Sequence, residues 1–184
     1  MANSSRKTLA LLVVVFVLPV ILAWFALNND WFNKAATNRG ELINPPHDAR
    51  IMLEGEEPIW RILYVMPSQC EQACENALYS LEQVWIALGK ESDRAQSTVM
   101  VTESSDVVTV NKLKNAEHIH LLTTNQQNVK QVFKDAPTDA IFLVDTLNNV
   151  MLRYPLQIEQ QQAVMHSRDI LADLKKLLKL SRIG

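Results

Sequence analysis

The sequence contains 184 residues, of which 48% are hydrophobic, and its formal net charge is −2. A chain of this length usually forms one domain plus any targeting segment. The near-neutral charge and the low glycine and proline content indicate neither a nucleic-acid partner nor a disordered composition. With only two cysteines, a multi-bridge disulfide scaffold and a four-cysteine zinc site are excluded.

The first predicted element is the uncharged apolar segment at residues 8–27. At a rise of about 1.5 Å per residue, roughly 20 residues cross a hydrocarbon layer of about 30 Å. A cleaved signal peptide is the alternative, but its apolar region is usually shorter and is followed by small residues at a cleavage site. Arg6 and Lys7 precede the segment and Asp30 follows it, which places residues 1–7 in the cytoplasm. The sequence therefore predicts a single-pass inner-membrane protein with a periplasmic C-terminal domain.

A turn-rich segment follows at residues 28–58. It contains Asn38-Arg39-Gly40, Asn44-Pro45-Pro46 and Gly55-Glu56-Glu57-Pro58. Such a density of turn formers is typical of a tether without regular structure. We therefore expect an irregular linker here and one folded domain over residues 59–184.

The folded domain is predicted to open with a strand that leads into a helix. Residues 60–66 are mostly apolar and rich in β-forming residues, and Pro67-Ser68 ends the run, which predicts a central buried strand. Residues 70–88 then place Cys70, Cys74 and a series of apolar residues on one helical face, with Gly89 as the C-terminal cap. Both sulfurs are therefore expected on one side of this helix.

The remaining elements continue the alternation of strands and helices. The predicted elements are a strand at 97–102, a helix at 107–114 capped by Ser104-Ser105-Asp106, a strand at 118–122, a helix from Thr124-Asn125 that ends by Pro137, a hairpin of strands at 140–145 and 150–154, and a helix capped by Ser167. This order predicts an α/β fold with a mixed sheet and helices on both faces. It is the architecture of a thioredoxin-like domain with one insertion.

The cysteine pair is the main candidate for chemistry. The N-terminus of a helix favours a thiolate and would lower the pKa of Cys70, whereas Glu71 and Glu75 oppose that shift, so its net sign stays open. Side chains four residues apart on a helix have Cβ atoms about 5–6 Å apart, but a disulfide needs about 3.5–4.5 Å. An unstrained bridge therefore requires Cys70 to lie in the loop. A metal accepts the wider spacing more easily, and soft sulfur ligands outside the cytoplasm point to Cu(I).

Other interpretations of these residues stay open. The cysteines continue an apolar stripe, so an inert core pair or a static bridge is the alternative. His118 and His120 alternate around Ile119 and are weak candidates for additional metal ligands. Met66 and Met52 are soft donors, although methionine in a strand usually packs in the core. No residue pattern supports a hydrolase or a kinase.

Three groups of residues carry a family resemblance. They are Gly40-Glu41-Leu42, Trp60-Arg61-Ile62-Leu63-Tyr64-Val65 running into Cys70-x-x-x-Cys74, and Ile141-Phe142-Leu143-Val144-Asp145 with its hairpin. In these residues the chain resembles the Sco/SenC family, and still more a divergent group of short anchored proteins associated with cytochrome c oxidase assembly. The Sco/SenC resemblance implies a membrane-anchored thioredoxin-like protein that delivers copper to the oxidase or reduces the cysteines of its copper centre. It also implies that Cys70 and Cys74 are the two thiolate copper ligands.

The sequence departs from that family at two places. The family's prolines beside the cysteines are missing, and Pro137 stands roughly where its histidine ligand belongs. A three-coordinate copper site must then recruit His118, His120 or a methionine. Alternatively, Pro137 is the cis-proline that faces the cysteines in thioredoxin-like oxidoreductases. These departures favour thiol chemistry or assembly over copper storage.

The functional hypothesis is therefore a membrane-anchored factor for cytochrome c oxidase biogenesis that acts on thiols or Cu(I) through Cys70 and Cys74. Its partners would be an oxidase subunit or other assembly factors at the inner membrane. As an enzyme it would be a thiol-disulfide oxidoreductase. The alternative is a non-catalytic structural assembly protein with an inert thioredoxin-like domain.

Overall fold

The structure is a computed structural model that describes residues 2–28, 38–134 and 136–181. The chain divides into two compact units, Met1–Thr37 and Asn38–Gly184.

The first unit contains helix α1, Ala2–Asn28, which covers the segment predicted to cross the membrane. Its large apolar side chains between Leu11 and Phe25 are exposed, and Pro19 lies inside the helix. Over the described part of the chain, no helix is both long enough and apolar enough to cross a bilayer. The membrane span thus stays a prediction, and Asp30, which marked its outer flank, lies outside the described residues.

The second unit is a six-stranded mixed sheet with helices packed against both faces. Its elements are β1 (Glu41–Asp48), β2 (Trp60–Val65), α2 (Gln72–Leu88), a 3-10 helix (Gly89–Arg94), β3 (Ala95–Val101), α3 (Val107–Leu113), β4 (Ile119–Thr123), α4 (Gln126–Phe133), β5 (Ala140–Val144), β6 (Asn149–Pro155) and α5 (Gln160–Leu180). The strand order is β1-β6-β5-β2-β3-β4. The predicted thioredoxin-like α/β architecture is therefore confirmed.

The central strand is β2, and all six of its residues are buried. It pairs in parallel with β3 and antiparallel with β5, while β5 and β6 form the predicted hairpin. A strand that is covered on both faces needs an almost continuous apolar sequence. This requirement explains why residues 60–65 can be recognised as a central strand without any structure.

The two faces of the sheet have separate cores. Ile62, Tyr64 and Met66 pack with apolar residues of α2 and α5 on one face. Leu63 and Val65 point to the other face, where α4 covers them. Successive side chains of a strand point to opposite faces, so Met66 at the end of β2 lies on the same face as the helix that carries Cys74.

The linker prediction for residues 28–58 is wrong over β1. This strand pairs antiparallel with β6, beginning with Glu41 opposite Arg153, and forms one edge of the sheet. Its residues are mostly exposed, and its register shifts between Leu42 and His47, a stretch that contains two prolines. Proline has no amide hydrogen to donate and is tolerated in edge strands. A composition rich in turn formers is therefore compatible with an edge strand here, which is why the sequence did not predict β1.

A buried carboxylate holds the start of β1. Asp173 of α5 is 2% exposed and accepts hydrogen bonds from the Gly40 amide at 2.9 Å and the Tyr154 hydroxyl at 2.7 Å. Burial, followed by the contact with Asp173, raises the pKa of Tyr154. A Cβ atom on Gly40 would lie 2.5 Å from a ring carbon of Tyr154. The close approach of the chain to this ring thus requires glycine.

The last helix begins earlier than its predicted cap. Glu159 is the N-cap of α5, and Ser167 lies buried inside the helix. The hydroxyl oxygen of Ser167 lies 2.8 Å from the Ala163 carbonyl oxygen and 2.9 Å from the Ser80 hydroxyl oxygen. A serine whose hydroxyl bonds to the carbonyl four residues before it does not interrupt a helix. The cap prediction is therefore wrong, and Ser167 instead joins α5 to α2.

Candidate functional site

The two cysteines form a disulfide at the corner where β2 passes into α2. Cys70 lies in the loop, two residues before the first helical residue Gln72, and Cys74 lies in the first turn. Their Cα atoms are 5.1 Å apart, within the usual range of about 4.4–6.8 Å for a disulfide. The sequence placed the helix start at Cys70, which is wrong by two residues. The condition that a bridge needs Cys70 in the loop is met.

The two sulfur-bearing residues differ in burial. Cys74 is 3% exposed and belongs to the core beneath α2, together with Ala77 and Leu81. Cys70 is only partly buried and packs against the margin of that core. The nucleophile or metal that reaches this disulfide from solvent therefore meets Cys70 first.

The carboxylate of Asp106 links the cysteine loop to the start of α3. Its Oδ2 accepts a hydrogen bond from the Cys70 amide at 3.3 Å, and its Oδ1 caps α3 by accepting from the Thr109 amide at 2.8 Å. Its own amide donates to the Pro67 carbonyl. The bonds from the amides of Thr109 and then Cys70 lower the pKa of Asp106. A negative charge is thereby held beside Cys70, where it opposes formation of a second anion.

Hydrogen bonds of Ser105 fix the end of β2. The Ser105 hydroxyl donates to the Met66 carbonyl at 3.1 Å and accepts from the Thr102 amide at 2.9 Å. The Met66 amide donates to the Met100 carbonyl of β3 at 2.9 Å. Both backbone polar groups of Met66 are thus bonded, which fixes the position from which its side chain extends.

Met66 brings a third sulfur atom to the site. Its side chain is 2% exposed, and its Sδ lies 3.9 Å from the Sγ of Cys74. The sequence named Met66 as a soft donor but favoured a core role for a methionine in a strand. The structure places it in the core and beside the cysteine pair at once.

His118, just before β4, and His120, within it, do not approach the sulfurs. The ring of His118 stacks on Trp85 with centroids 4.3 Å apart, and His120 Nε2 lies 3.5 Å from a carboxylate oxygen of Glu56. The register of the strands puts His120 level with Leu63, three residues before Met66. At about 3.3 Å per residue, this separates the two positions by roughly 10 Å along the strand direction. His118 lies farther away still, so neither histidine joins the cysteines.

Pro137 does not provide the facing cis-proline. Among the described peptide bonds, the cis bond is Asn44–Pro45, and Pro137 is exposed. The interpretation of Pro137 as the cis-proline of an oxidoreductase is therefore wrong. Its place three residues before β5 does not determine the isomer of its peptide bond.

An exposed apolar pair flanks the cysteine loop. Val107 and Val108, in the first turn of α3, are 69% and 66% exposed and directly follow the Asp106 that bonds Cys70. Their place beside the site was missed from the sequence, as was the bond between Asp106 and Cys70. The capping pattern Ser104-Ser105-Asp106 was the available signal, but it carries no information on which distant loop the cap contacts.

Comparisons with known proteins place this fold among thioredoxin-like proteins. A family model described as transmembrane-like, thioredoxin-like, C-terminal domain matches residues 60–181. No curated protein matches the sequence significantly.

Several solved structures are similar to this chain. Copper-bound ScoI of Bradyrhizobium japonicum has 16% identity and a TM-score of 0.45, with 74% of this chain and 98% of that chain covered. A SCO1/SenC family lipoprotein of Bacillus anthracis has 15% identity and a TM-score of 0.44, with 74% and 93% covered. A putative thiol:disulfide interchange protein DsbE of Chlorobium tepidum has 12% identity and a TM-score of 0.46, with 73% and 94% covered.

Proposed function

The chain belongs to the transmembrane-like, thioredoxin-like, C-terminal domain family, and from this premise we propose that it is a membrane-anchored thiol-disulfide exchange protein acting outside the cytoplasm. Its reduced cysteines, Cys70 and Cys74, reduce a disulfide of a partner to thiols or bind Cu(I). The partner is a subunit or an assembly factor of cytochrome c oxidase, which the Sco/SenC resemblance of the sequence motifs suggests.

The observation that carries this proposal is the unequal burial of two bonded sulfurs at the corner between a strand and a helix. A nucleophile that reaches the bridge attacks the accessible sulfur of Cys70, and the leaving sulfur of Cys74 is held in the core. The start of α2, whose N-cap Glu71 makes no side-chain cap bond, favours an anionic sulfur near this position, while the Asp106 carboxylate opposes it. An inert core pair, by contrast, has no need of a partly exposed member.

The exchange has two steps, each of which forms one disulfide and breaks one. In the reduced protein, the Cys70 thiolate attacks a partner disulfide, forms a mixed disulfide and releases one partner thiolate, which takes up a proton. The Cys74 thiolate then attacks the sulfur of Cys70, restores the Cys70–Cys74 bond and releases the second partner thiol. Two electrons pass to the partner, and a dithiol donor protein must return two electrons to this pair.

The first test is a redox titration of the full chain in detergent. We expect the pair to titrate as one two-electron couple in buffers of reduced and oxidised glutathione or dithiothreitol, measured by alkylation and mass. The variants Cys70→Ser and Cys74→Ser should differ, because the remaining thiol is accessible in the second and buried in the first. Equal reactivity of the two variants, or a bridge that is reduced only on unfolding, would leave the structural assembly protein as the better description.

The partner can be identified with the same variants. With Cys74→Ser the mixed disulfide at Cys70 cannot be resolved, so it should accumulate in intact membranes. We expect a cysteine-containing oxidase subunit or assembly factor in this adduct, and none with the Cys70→Ser control. An adduct that contains only unrelated abundant thiols would contradict the oxidase assignment.

We also propose that α1 anchors the chain with the folded unit in the periplasm. The support is the row of exposed apolar side chains between Leu11 and Phe25, together with the basic flank of Arg6 and Lys7. Membranes washed with carbonate should retain the protein. After reduction, a membrane-impermeant maleimide should label Cys70 in cells with a permeabilised outer membrane. Labelling that appears only after lysis of the inner membrane would contradict this topology.

A further inference from the structure

The sulfur of Met66 lies in a position that its core role does not require. Any apolar side chain of similar volume would fill the space beneath α2, but the thioether Sδ points to within 3.9 Å of Cys74 Sγ. Its backbone is bonded on both sides, to Ser105 and to Met100. The sulfur is therefore presented to the cysteine pair from a backbone that is held in place.

The distance suits a shared metal ion. Three sulfur ligands at about 2.3 Å from one ion, arranged in a plane, stand about 4.0 Å apart, by analogy with zinc–thiolate bonds. The Met66 and Cys74 sulfurs already have a separation of this size while Cys74 is bonded to Cys70. Reduction breaks that bond and frees both cysteine sulfurs to meet the ion.

The donor set selects the metal. Thiolate and thioether ligands are soft and select Cu(I), whereas zinc in a structural site takes four ligands. In the described part of the chain, no group of three or more histidine, cysteine, aspartate or glutamate side chains can hold a metal ion. The two cysteines therefore have no third ligand of these four types beside them in that part of the chain, and the neighbouring sulfur is that of Met66.

We propose that Met66 is the third ligand of a Cu(I) ion held by reduced Cys70 and Cys74. This inference rests on the copper activity in the proposed function. A dithiol donor first reduces the bridge, and binding of Cu(I) then displaces the two thiol protons. The resulting centre of two thiolates, one thioether and one Cu(I) carries a net charge of −1.

The chain offers a matched control in Met100. This methionine is 0% exposed and lies in β3 next to the end of β2, but it packs in the core on the opposite face of the sheet. Met66→Leu and Met100→Leu therefore make the same change in neighbouring buried positions. Only the first removes a sulfur that faces the cysteine pair.

The experiment measures Cu(I) affinity of the reduced full chain in detergent, by competition with the chelator bicinchoninate. We expect one Cu(I) per chain in the parent. Loss of a residue that only supports a metal ligand weakens metal affinity by roughly 10- to 100-fold. Loss of a ligand should cost at least as much, so Met66→Leu should lower the Cu(I) affinity by this factor or more, while Met100→Leu should match the parent. The thiol redox titration of Met66→Leu should stay close to that of the parent, which shows that the variant is folded and its pair intact.

A second readout identifies the ligand directly. When selenomethionine replaces methionine, X-ray absorption at the copper edge should show one selenium neighbour in the parent and in Met100→Leu, and none in Met66→Leu. If the parent binds Cu(I) but Met66→Leu binds it equally well and no selenium neighbour is seen, the role of Met66 is refuted while copper binding by the cysteines stands. If the parent binds no Cu(I), the copper activity itself is refuted, and the thiol exchange assay still decides the remaining function.

Discussion

Replacing Ser105 with alanine tests whether the loop between β3 and α3 holds the cysteine site together. Ser105 is 7% exposed, and its hydroxyl bonds two buried backbone groups, the Thr102 amide and the Met66 carbonyl. Leaving a buried amide unpaired costs about 1–3 kcal/mol, and the lost bond to the carbonyl adds about 1 kcal/mol. We therefore expect Ser105→Ala to lower the free energy of unfolding by about 2–4 kcal/mol.

The assay is urea unfolding of the full chain in detergent, followed by tryptophan fluorescence. Ser104→Ala is the matched control, because Ser104 is exposed and its hydroxyl bonds only other side chains. Such a surface change is usually within about 0.5 kcal/mol of the parent. If Ser105→Ala unfolds at the same urea concentration as Ser104→Ala, the buried hydrogen bonds do not stabilise this corner and the reasoning is refuted.

Three further predictions follow from the sheet edge, the helix cap and the histidines. Gly40→Ala should destabilise the fold by about 1–3 kcal/mol in the same assay, because its Cβ would meet the Tyr154 ring at 2.5 Å. The fold lowers the pKa of Asp106, so its carboxylate stabilises the fold above the usual pKa of 3.8, and this contribution is lost as the pH falls through the lower folded pKa. The free energy of unfolding, measured from pH 7 to pH 2, should therefore fall less steeply with acid in Asp106→Asn than in the parent. His118→Ala and His120→Ala should leave the Cu(I) stoichiometry of the cysteine pair unchanged, measured by chelator competition.

Each of these predictions has a result that contradicts it. Parent-like stability of Gly40→Ala would mean that the Tyr154 ring moves aside freely. An equally steep fall with acid in Asp106→Asn would mean that the cap is not formed in solution. Loss of Cu(I) from His120→Ala would bring a histidine back into the metal site and would weaken the assignment of Met66.

Local sequence patterns predicted most elements of the second unit. The apolar run at β2 is readable because the strand is buried on both faces. The hairpin after β5 is readable because its turn chemistry is local: the Asp145 carboxylate accepts from the amides of Leu147 and Asn149, and Asn148 adopts a left-handed conformation. Where a residue's interaction partners lie only a few positions away, the local sequence is enough to predict its secondary structure.

The errors occurred where the deciding partner is distant. β1 is an exposed edge strand whose pairing depends on β6, more than a hundred residues later. A serine such as Ser167 can cap a helix or lie inside one. Here it lies inside α5, where its hydroxyl contacts Ser80 of α2. A composition rich in turn formers and a serine before an apolar stripe are both ambiguous until those partners are known.

The sequence by itself determined that two cysteines follow a buried strand at the start of a helix, because strand and helix periodicity are properties of neighbouring residues. Only the tertiary structure decided that Cys70 is partly exposed while Cys74 is buried, that His118 and His120 stand away from both, and that Met66 approaches Cys74. Exposure and contact depend on how distant segments pack over the sheet, and a one-dimensional pattern contains no such distances. The chemistry of this site therefore depends on packing as much as on the residues that form it.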